Sequence, residues 1–355
     1  MKKRKDLKTV LNDFKSYLRF WIKTFRGQVT VLCLIGLAIL PFITTNTYII
    51  GIFNTFMIYT IFAASWDFLA GYVGQVSFGH AIFLGVSAYV TAFTVKFFLF
   101  PWWFALILGA FFAVLFGLIV GVPSLRLKGP YLALGTLSMS LILYELFKMS
   151  SLGLLWEATF PGTELFGTTG IGQIIIFTDI PQIFYIVIFI IMCVVVVFLT
   201  HFVKSNTGTI LKAIRDDETG AKASGINTTK YKVIAFMISG FIAGIAGGLF
   251  TFRHTGVNPG IFQPLYSFYA IIMAALGGIA TISGSALGAF IFVFLGEILR
   301  LLGDNPNITG TIGGFVEPIF VFSIILIIII RFAEHGLLKP ALERLKSLWD
   351  LILGR

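Results

Sequence analysis

The side chains with chemistry to offer are few, and they gather in two places. The first is Asp67-Phe-Leu-Ala-Gly-Tyr-Val-Gly-Gln-Val-Ser-Phe-Gly-His80, where Asp67, Gln75, Ser77 and His80, with three glycines, interrupt two apolar runs. A carboxylate at membrane depth costs on the order of 2.5–3.5 kcal/mol on insertion scales. Irregular backbone survives there only where protein or a water-filled cavity satisfies its polar groups. The segment therefore reads as a break lining a solute path. A short turn at headgroup level, with Asp67 and His80 at its edges, is the alternative. The absence of Lys and Arg from the turn favours the break.

The second place is the charged stretch 204–232. Ile210, Ala213, Ile214 and Ala221 suggest a short helix with one apolar face, and Gly225 suits its stop. Along it run Arg215, Asp216, Asp217 and Glu218. A solvated loop needs no amphipathic helix, whereas a knob docking in a groove on another protein does.

Several chemistries are missing. No G-x-x-x-x-G-K-[ST], no H-E-x-x-H, no G-x-S-x-G and no Cys/His cluster occurs, so neither nucleotide binding nor a metal or cofactor is expected, and the chain is not read as an enzyme. Cys33 and Cys193 lie in long apolar runs and read as buried small hydrophobes. A second uncharged break, 275–288, is rich in Gly and Ser and reads chiefly as close helix packing. Glu145 with Lys148, and Glu297 with Arg300, are spaced as neutralising ion pairs.

The elements that carry these groups follow from composition. Hydrophobic residues make up 57% of the chain and charged ones 12%, too little polar cover for a soluble globule despite a net charge of +10. The class is an all-α polytopic membrane protein. About ten spans are expected, near 29–47, 49–70, 78–97, 102–122, 131–149, 182–203, 233–252, 265–283, 285–302 and 315–332, some of them glycine-broken or hairpin segments. With both termini inside, 22 of the 26 basic residues face the cytoplasm; only Lys96, Lys148, Arg253 and Arg300 do not. Residues 1–28, with Leu7, Leu11, Phe14, Leu18, Trp21 and Phe25 on one face, form a basic amphipathic interfacial helix rather than a cleaved signal. Residues 29–332 make the membrane domain, and 333–355 a second amphipathic cytoplasmic tail.

Four segments resemble the LIV-type permeases, the membrane subunits of branched-chain amino acid ABC importers, and this chain looks like the M subunit. They are 74–80 (Gly-Gln-Val-Ser-Phe-Gly-His), 126–137 (Arg-Leu-Lys-Gly-Pro-Tyr-Leu-Ala-Leu-Gly-Thr-Leu), 213–232 and 239–249. The resemblance implies a second permease subunit of the H type, two cytoplasmic ATPases, an extracellular solute-binding protein and a bacterial plasma-membrane location. It implies that 204–232 is the ATPase-coupling loop, with Glu218, Ala221 and Gly225 at matching positions and Gly220 where alanine is usual. It also implies import of branched-chain amino acids by alternating access. Permeases for urea or short amides look much the same, and sugar permeases share the broader fold. A proton-coupled carrier using Asp67 and Glu145 is the rival of another class. Nucleic acid is not expected as a partner.

Overall fold

The computed structural model describes residues 25–124, 129–149, 166–174 and 180–303, with isolated positions at 324, 327, 331, 343 and 344. Within them run α1 (Phe25–Ile43), α2 (Thr47–Val73), α3 (Ala81–Phe98), α4 (Trp102–Ser124), α5 (Pro130–Lys148) and α6 (Pro181–Lys204). Then follow α7 (Asn206–Asp216), α8 (Glu218–Ala223), α9 (Thr228–His254), α10 (Pro264–Gly277) and α11 (Ile282–Gly303). A two-residue antiparallel pair, β1 (Ile171–Gly172) with β2 (Gly256–Val257), puts Ile171 opposite Val257.

Seven of these helices are long and apolar enough to cross a membrane: α2, α3, α4, α5, α6, α9 and α11. Helices α1 and α10 are apolar but shorter. The helices fall on the first nine expected spans; the tenth, 315–332, lies outside the described residues, as do nearly all of 1–28 and 333–355. One span needs correcting. At about 1.5 Å per residue, the 14 residues of α10 reach only about 21 Å, short of a ~30 Å hydrocarbon core. Helix α10 ends beside Asp67 and Gly71 at the end of α2 and turns there into α11, with Gly277 against Gly284 and Gly288 against Met273 holding the two backbones together. The small-residue break at 275–288 is thus a packed hairpin.

The core forms where α9 meets α2, α3 and α4. A side chain on Gly247 would collide with the Leu84 carbonyl, so glycine permits that approach. Outer faces are apolar and open: Leu32 of α1 is 74% exposed, Ile119 of α4 66% and Val194 of α6 62%. Such a surface needs lipid. The two cysteines belong to this periphery. Cys33 is exposed and Cys193 half-buried, contrary to the expectation of two buried thiols. The reason is that α1 packs chiefly on α6, where the Tyr185 hydroxyl donates to the Leu37 carbonyl at 2.8 Å, and leaves its other face free.

Charge sorts to the two ends. One end holds the 74–80 turn, α7, α8 and the start of α9 with Lys230 and Lys232. At the other, Lys96 donates to the Gly172 carbonyl of β1 and Arg253 to the Gly51 carbonyl. There, too, Glu297 pairs with Arg300 at 2.7 Å and with the Tyr48 hydroxyl. Lys148 and Glu145 lie 3.9 Å apart, so both expected i, i+3 pairs form.

Candidate coupling site

Asp67 sits near the end of α2 and is fully buried. Its Oδ1 accepts from the backbone N–H of Ala280 at 2.7 Å, bridging α2 to the turn between α10 and α11. That turn is unusual, with Ala280 at φ +63°, a conformation L-residues enter reluctantly. The close approach depends on Gly71, whose missing Cβ would lie 2.6 Å from both the Ala280 nitrogen and Asp67 Oδ1. Asp67 Oδ2 is buried without a well-formed hydrogen bond, as is the Ser285 hydroxyl on α11.

The turn after α2 is satisfied by side chains from distant helices. Gly74 ends α2 at φ +74°, its N–H returning to Ala70 and Leu69 carbonyls. The Ser77 carbonyl takes the Trp66 indole N–H at 2.8 Å, the Phe78 N–H donates to Thr136 Oγ1 at 3.1 Å, and the Ala81 N–H donates to Ser267 Oγ at 2.8 Å. Buried His80 contacts Ser65 Oγ through Nε2 at 2.9 Å. Because the Ser65 hydroxyl gives its proton to the Phe62 carbonyl, His80 Nε2 is the donor and Nδ1 is left without a partner. Gln75 is half-buried at the rim. Beside the turn lies a cavity of about 10 Å³ lined by Ser77, Gly79, Thr136 and Phe236, no larger than one water needs. The helix does break between Val73 and Ala81, and the break is a packed joint in which Asp67 Oδ2 and His80 Nδ1 are left without partners. Asp67, Ser77 and His80 are buried within it.

The 204–232 stretch is a helix pair, not one helix. Ser205 caps α7 by accepting from the Gly208 N–H at 3.3 Å. Asp217 is extended, at φ −152°, and its carboxylate caps α8 by accepting from the Thr219 N–H at 2.9 Å. Gly220 belongs to this arrangement, since a Cβ there would meet Asp217 Oδ2 at 2.6 Å. Leu211, Ile214 and Ala221 face inward, whereas Ala213 is exposed. Of the four residues expected on the apolar face, Ile214 and Ala221 are buried and Ile210 half-buried, and only Ala213 turns outward. Glu218 is the brace. Its carboxylate bonds Lys222 at 2.9 Å and the buried Lys232 at 2.6 Å, and those two ammonium groups hold it well below the usual carboxylate range, at about 2. Gly225 follows α8 at φ +81° with its N–H on the Lys222 carbonyl. Asp216 and Asp217 stay exposed.

One side chain joins the two clusters. Arg215 Nη1 donates to the Gly71 carbonyl at 2.7 Å, while its other nitrogens hold Asp216, and its stem packs over Gly74. Beside it the Lys212 ammonium lies 5.7 Å from the centre of the Tyr72 ring. Gly71 thus receives Arg215 on its carbonyl and Ala280 and Asp67 on its Cα. The sequence singled out Asp67 and Arg215 separately. It carried no signal for Ala280, which acts through an ordinary backbone N–H. Thr136 and Ser267, hydroxyls inside apolar helices, were a signal not used.

Together, apolar outward-facing helices and a charged helix pair clamped to one end define an all-α polytopic membrane protein. The family described as "Branched-chain amino acid transport system / permease component" matches residues 48–330, and the chain belongs to it. The chain is 26% identical over 296 residues to the high-affinity branched-chain amino acid transport system permease protein LivM of Salmonella typhimurium, covering 78% of this chain and 69% of that one. The LivM protein of Escherichia coli matches with the same identity and coverage. The ribose import permease RbsC of Haemophilus influenzae is 33% identical over 100 residues, 27% of this chain and 31% of that one. No solved structure matches.

Proposed function

We propose that this chain is the M-type permease of an ATP-driven importer of branched-chain or related hydrophobic amino acids, working by alternating access beside an H-type permease. Two cytoplasmic ATPases supply the energy and an extracellular binding protein the solute. The α7–α8 end is cytoplasmic, consistent with its six basic residues between Lys204 and Lys232. Asp216, Asp217 and the outer surface of α8 meet the ATPase. Movement there passes through Arg215 to Gly71, and from Gly71 to the Asp67–Ala280 joint, whose opening admits solute past Gln75, Ser77 and His80. The Arg215–Gly71 bond carries this reading, since it is the polar link between the exposed helix pair and the buried joint. The LivM relatives favour amino acids over the sugars of the shorter matches.

The test is ATP-dependent leucine uptake by the assembled transporter in liposomes. Replacing Asp217 and Glu218 by alanine, or deleting 210–225, abolishes uptake while the chain still inserts. Normal uptake in either variant refutes the coupling role. Accumulation by the chain alone under a pH gradient, without ATPase, establishes the proton-coupled carrier instead.

A further inference from the structure

Arg253, in the last turn of α9, carries a charge for which the described residues supply no acid. Its Nε donates to the Gly51 carbonyl of α2 at 3.2 Å. The guanidinium can lie against α2 because residue 51 is glycine: a Cβ there would stand 2.6 Å from Nη2. With Nε taken, Nη1 and Nη2 have neither a hydrogen bond nor a carboxylate within 4.0 Å among the described residues, although Arg253 is half-buried. At the same end Lys148 has Glu145 and Arg300 has Glu297. A second polar group on the same seam is also unanswered. The Arg253–Gly51 bond and the 2.7 Å Ser239–Ser65 bond join 253 to 51 and 239 to 65, so α2 and α9 run antiparallel in one register. Around α2, Asn54 falls about 60° from Gly51 and about 20° from Ser65, hence on the side facing α9, about 4.5 Å deeper than Gly51. Asn54 is 3% exposed, and its Oδ1 is buried without a donor.

A half-buried guanidinium left unpaired and a buried acceptor left without a donor each cost free energy. A fork whose Nε is held by a carbonyl still offers two N–H groups side by side, the arrangement that takes a carboxylate bidentately. One turn deeper lies an acceptor suited to an ammonium. An α-amino acid carries both groups on one carbon and answers both needs. A lipid phosphodiester offers acceptors alone and leaves Asn54 as it was; urea and short amides lack both charges. The geometry points to the outer end of the α2–α9 seam as a binding site for a zwitterionic amino acid. The Arg253 fork binds its carboxylate, and Asn54 Oδ1 accepts from its ammonium. Asn54 is reached as the outer ends of α2 and α9 part during transport. This rests on the transport reading above and adds to it the residues that recognise the polar end of the solute.

The test uses the assembled transporter in liposomes, supplied with ATP and with saturating binding protein loaded with labelled leucine. Arg253→Gln is expected to lower uptake about tenfold, and Arg253→Lys, which keeps the charge but not the fork, about threefold. Asn54→Leu is expected to lower it about fivefold. That exchange removes an unpartnered acceptor from a buried place, so a purely structural role would leave uptake normal and the unfolding temperature unchanged or raised. In all three variants, ATP hydrolysis stimulated by the binding protein stays within about twofold of the parent, as does retention of the binding protein and the second permease. Lys96→Gln, at another cation of the same end, keeps normal uptake. Normal uptake in Arg253→Gln leaves a lipid phosphate or water as its counter-ion and overturns the site. Lost retention of the binding protein makes Arg253 a docking contact, lost retention of the second permease makes it a subunit contact, and either overturns the site. Normal uptake in Asn54→Leu removes the ammonium contact and with it the zwitterion assignment. Should Arg253→Gln fail to fold, Arg253→Lys and Asn54→Leu decide, and normal uptake in both overturns the site. Absence of leucine uptake by the parent refutes the transport reading and the site with it, whereas normal parent uptake with unaffected variants overturns the site alone.

Discussion

At Asp67 the decisive quantity is the cost of an orphaned donor. Asp67→Ala leaves the part-buried Ala280 N–H without its acceptor, a loss of about 1–2 kcal/mol. Asp67→Asn keeps a carbonyl oxygen in place of Oδ1. Thermal unfolding in detergent is therefore expected to place Asp67→Ala below the parent by a few degrees and Asp67→Asn less than half as far. Equal losses in the two variants would show that the charge, not the acceptor, matters. Gly71→Ala forces a methyl to 2.6 Å from backbone nitrogen at Ala280, and is expected to be at least as damaging as Asp67→Ala. Sequence reasoning found Asp67 because a carboxylate among apolar residues is conspicuous. Its partner lies 213 positions away and contributes only main chain, so no residue type announced it.

For α7 and α8, propensity and capping pull in opposite directions. Glycine in a helix costs up to ~1 kcal/mol relative to alanine, which made Gly220 look like a weakness. Gly220→Ala recovers that propensity but pushes Asp217 off the Thr219 N–H, and a lost N-cap costs about 1 kcal/mol. The two nearly cancel, so the variant is expected to unfold within about 1 kcal/mol of the parent while α8 shifts against α7. Glu218→Gln has no such offset. It strands Lys232, whose side chain is 9% exposed, and with Glu218 itself a third exposed the cost is about 1–2 kcal/mol. Because Glu218 is depressed from its ordinary 4.5 to about 2, the brace is complete above about pH 4.5 and is lost as the pH falls toward 2. ATPase coupling should therefore show no titration from Glu218 between pH 5.5 and 8, and a step in that range that vanishes in Glu218→Gln would contradict the assignment. The amphipathic pattern revealed that a helix was present. The kink at Asp217 was hidden because a carboxylate capping a second helix looks, in sequence, like one more charge in a cluster.

At the scale of the whole molecule, the guanidinium–carbonyl bond from Arg215 to Gly71 links the rim to the joint, beside the Lys212–Tyr72 contact, and the geometry offers a way to replace it. A Cβ built on Gly74 lies 3.6 Å from Arg215 Cβ, inside the ~3.5–4.5 Å range of a disulfide. Gly74→Cys with Arg215→Cys, in a chain freed of Cys33 and Cys193, removes the bond to Gly71 while the thiols are reduced and restores a tether when they are oxidised. The positive φ at 74 adds a strain of order 1 kcal/mol, which the bundle tolerates because the turn is held by Trp66, Thr136 and Ser267. If α7 and the end of α2 move as one lever, leucine uptake falls at least fivefold in the reduced transporter and recovers to at least half of the parent rate on oxidation, with ATP hydrolysis continuing in both. Oxidation that stops uptake instead would show that α7 and α2 separate during the cycle, and the lever would have to be sought in the contacts between α7 and α6.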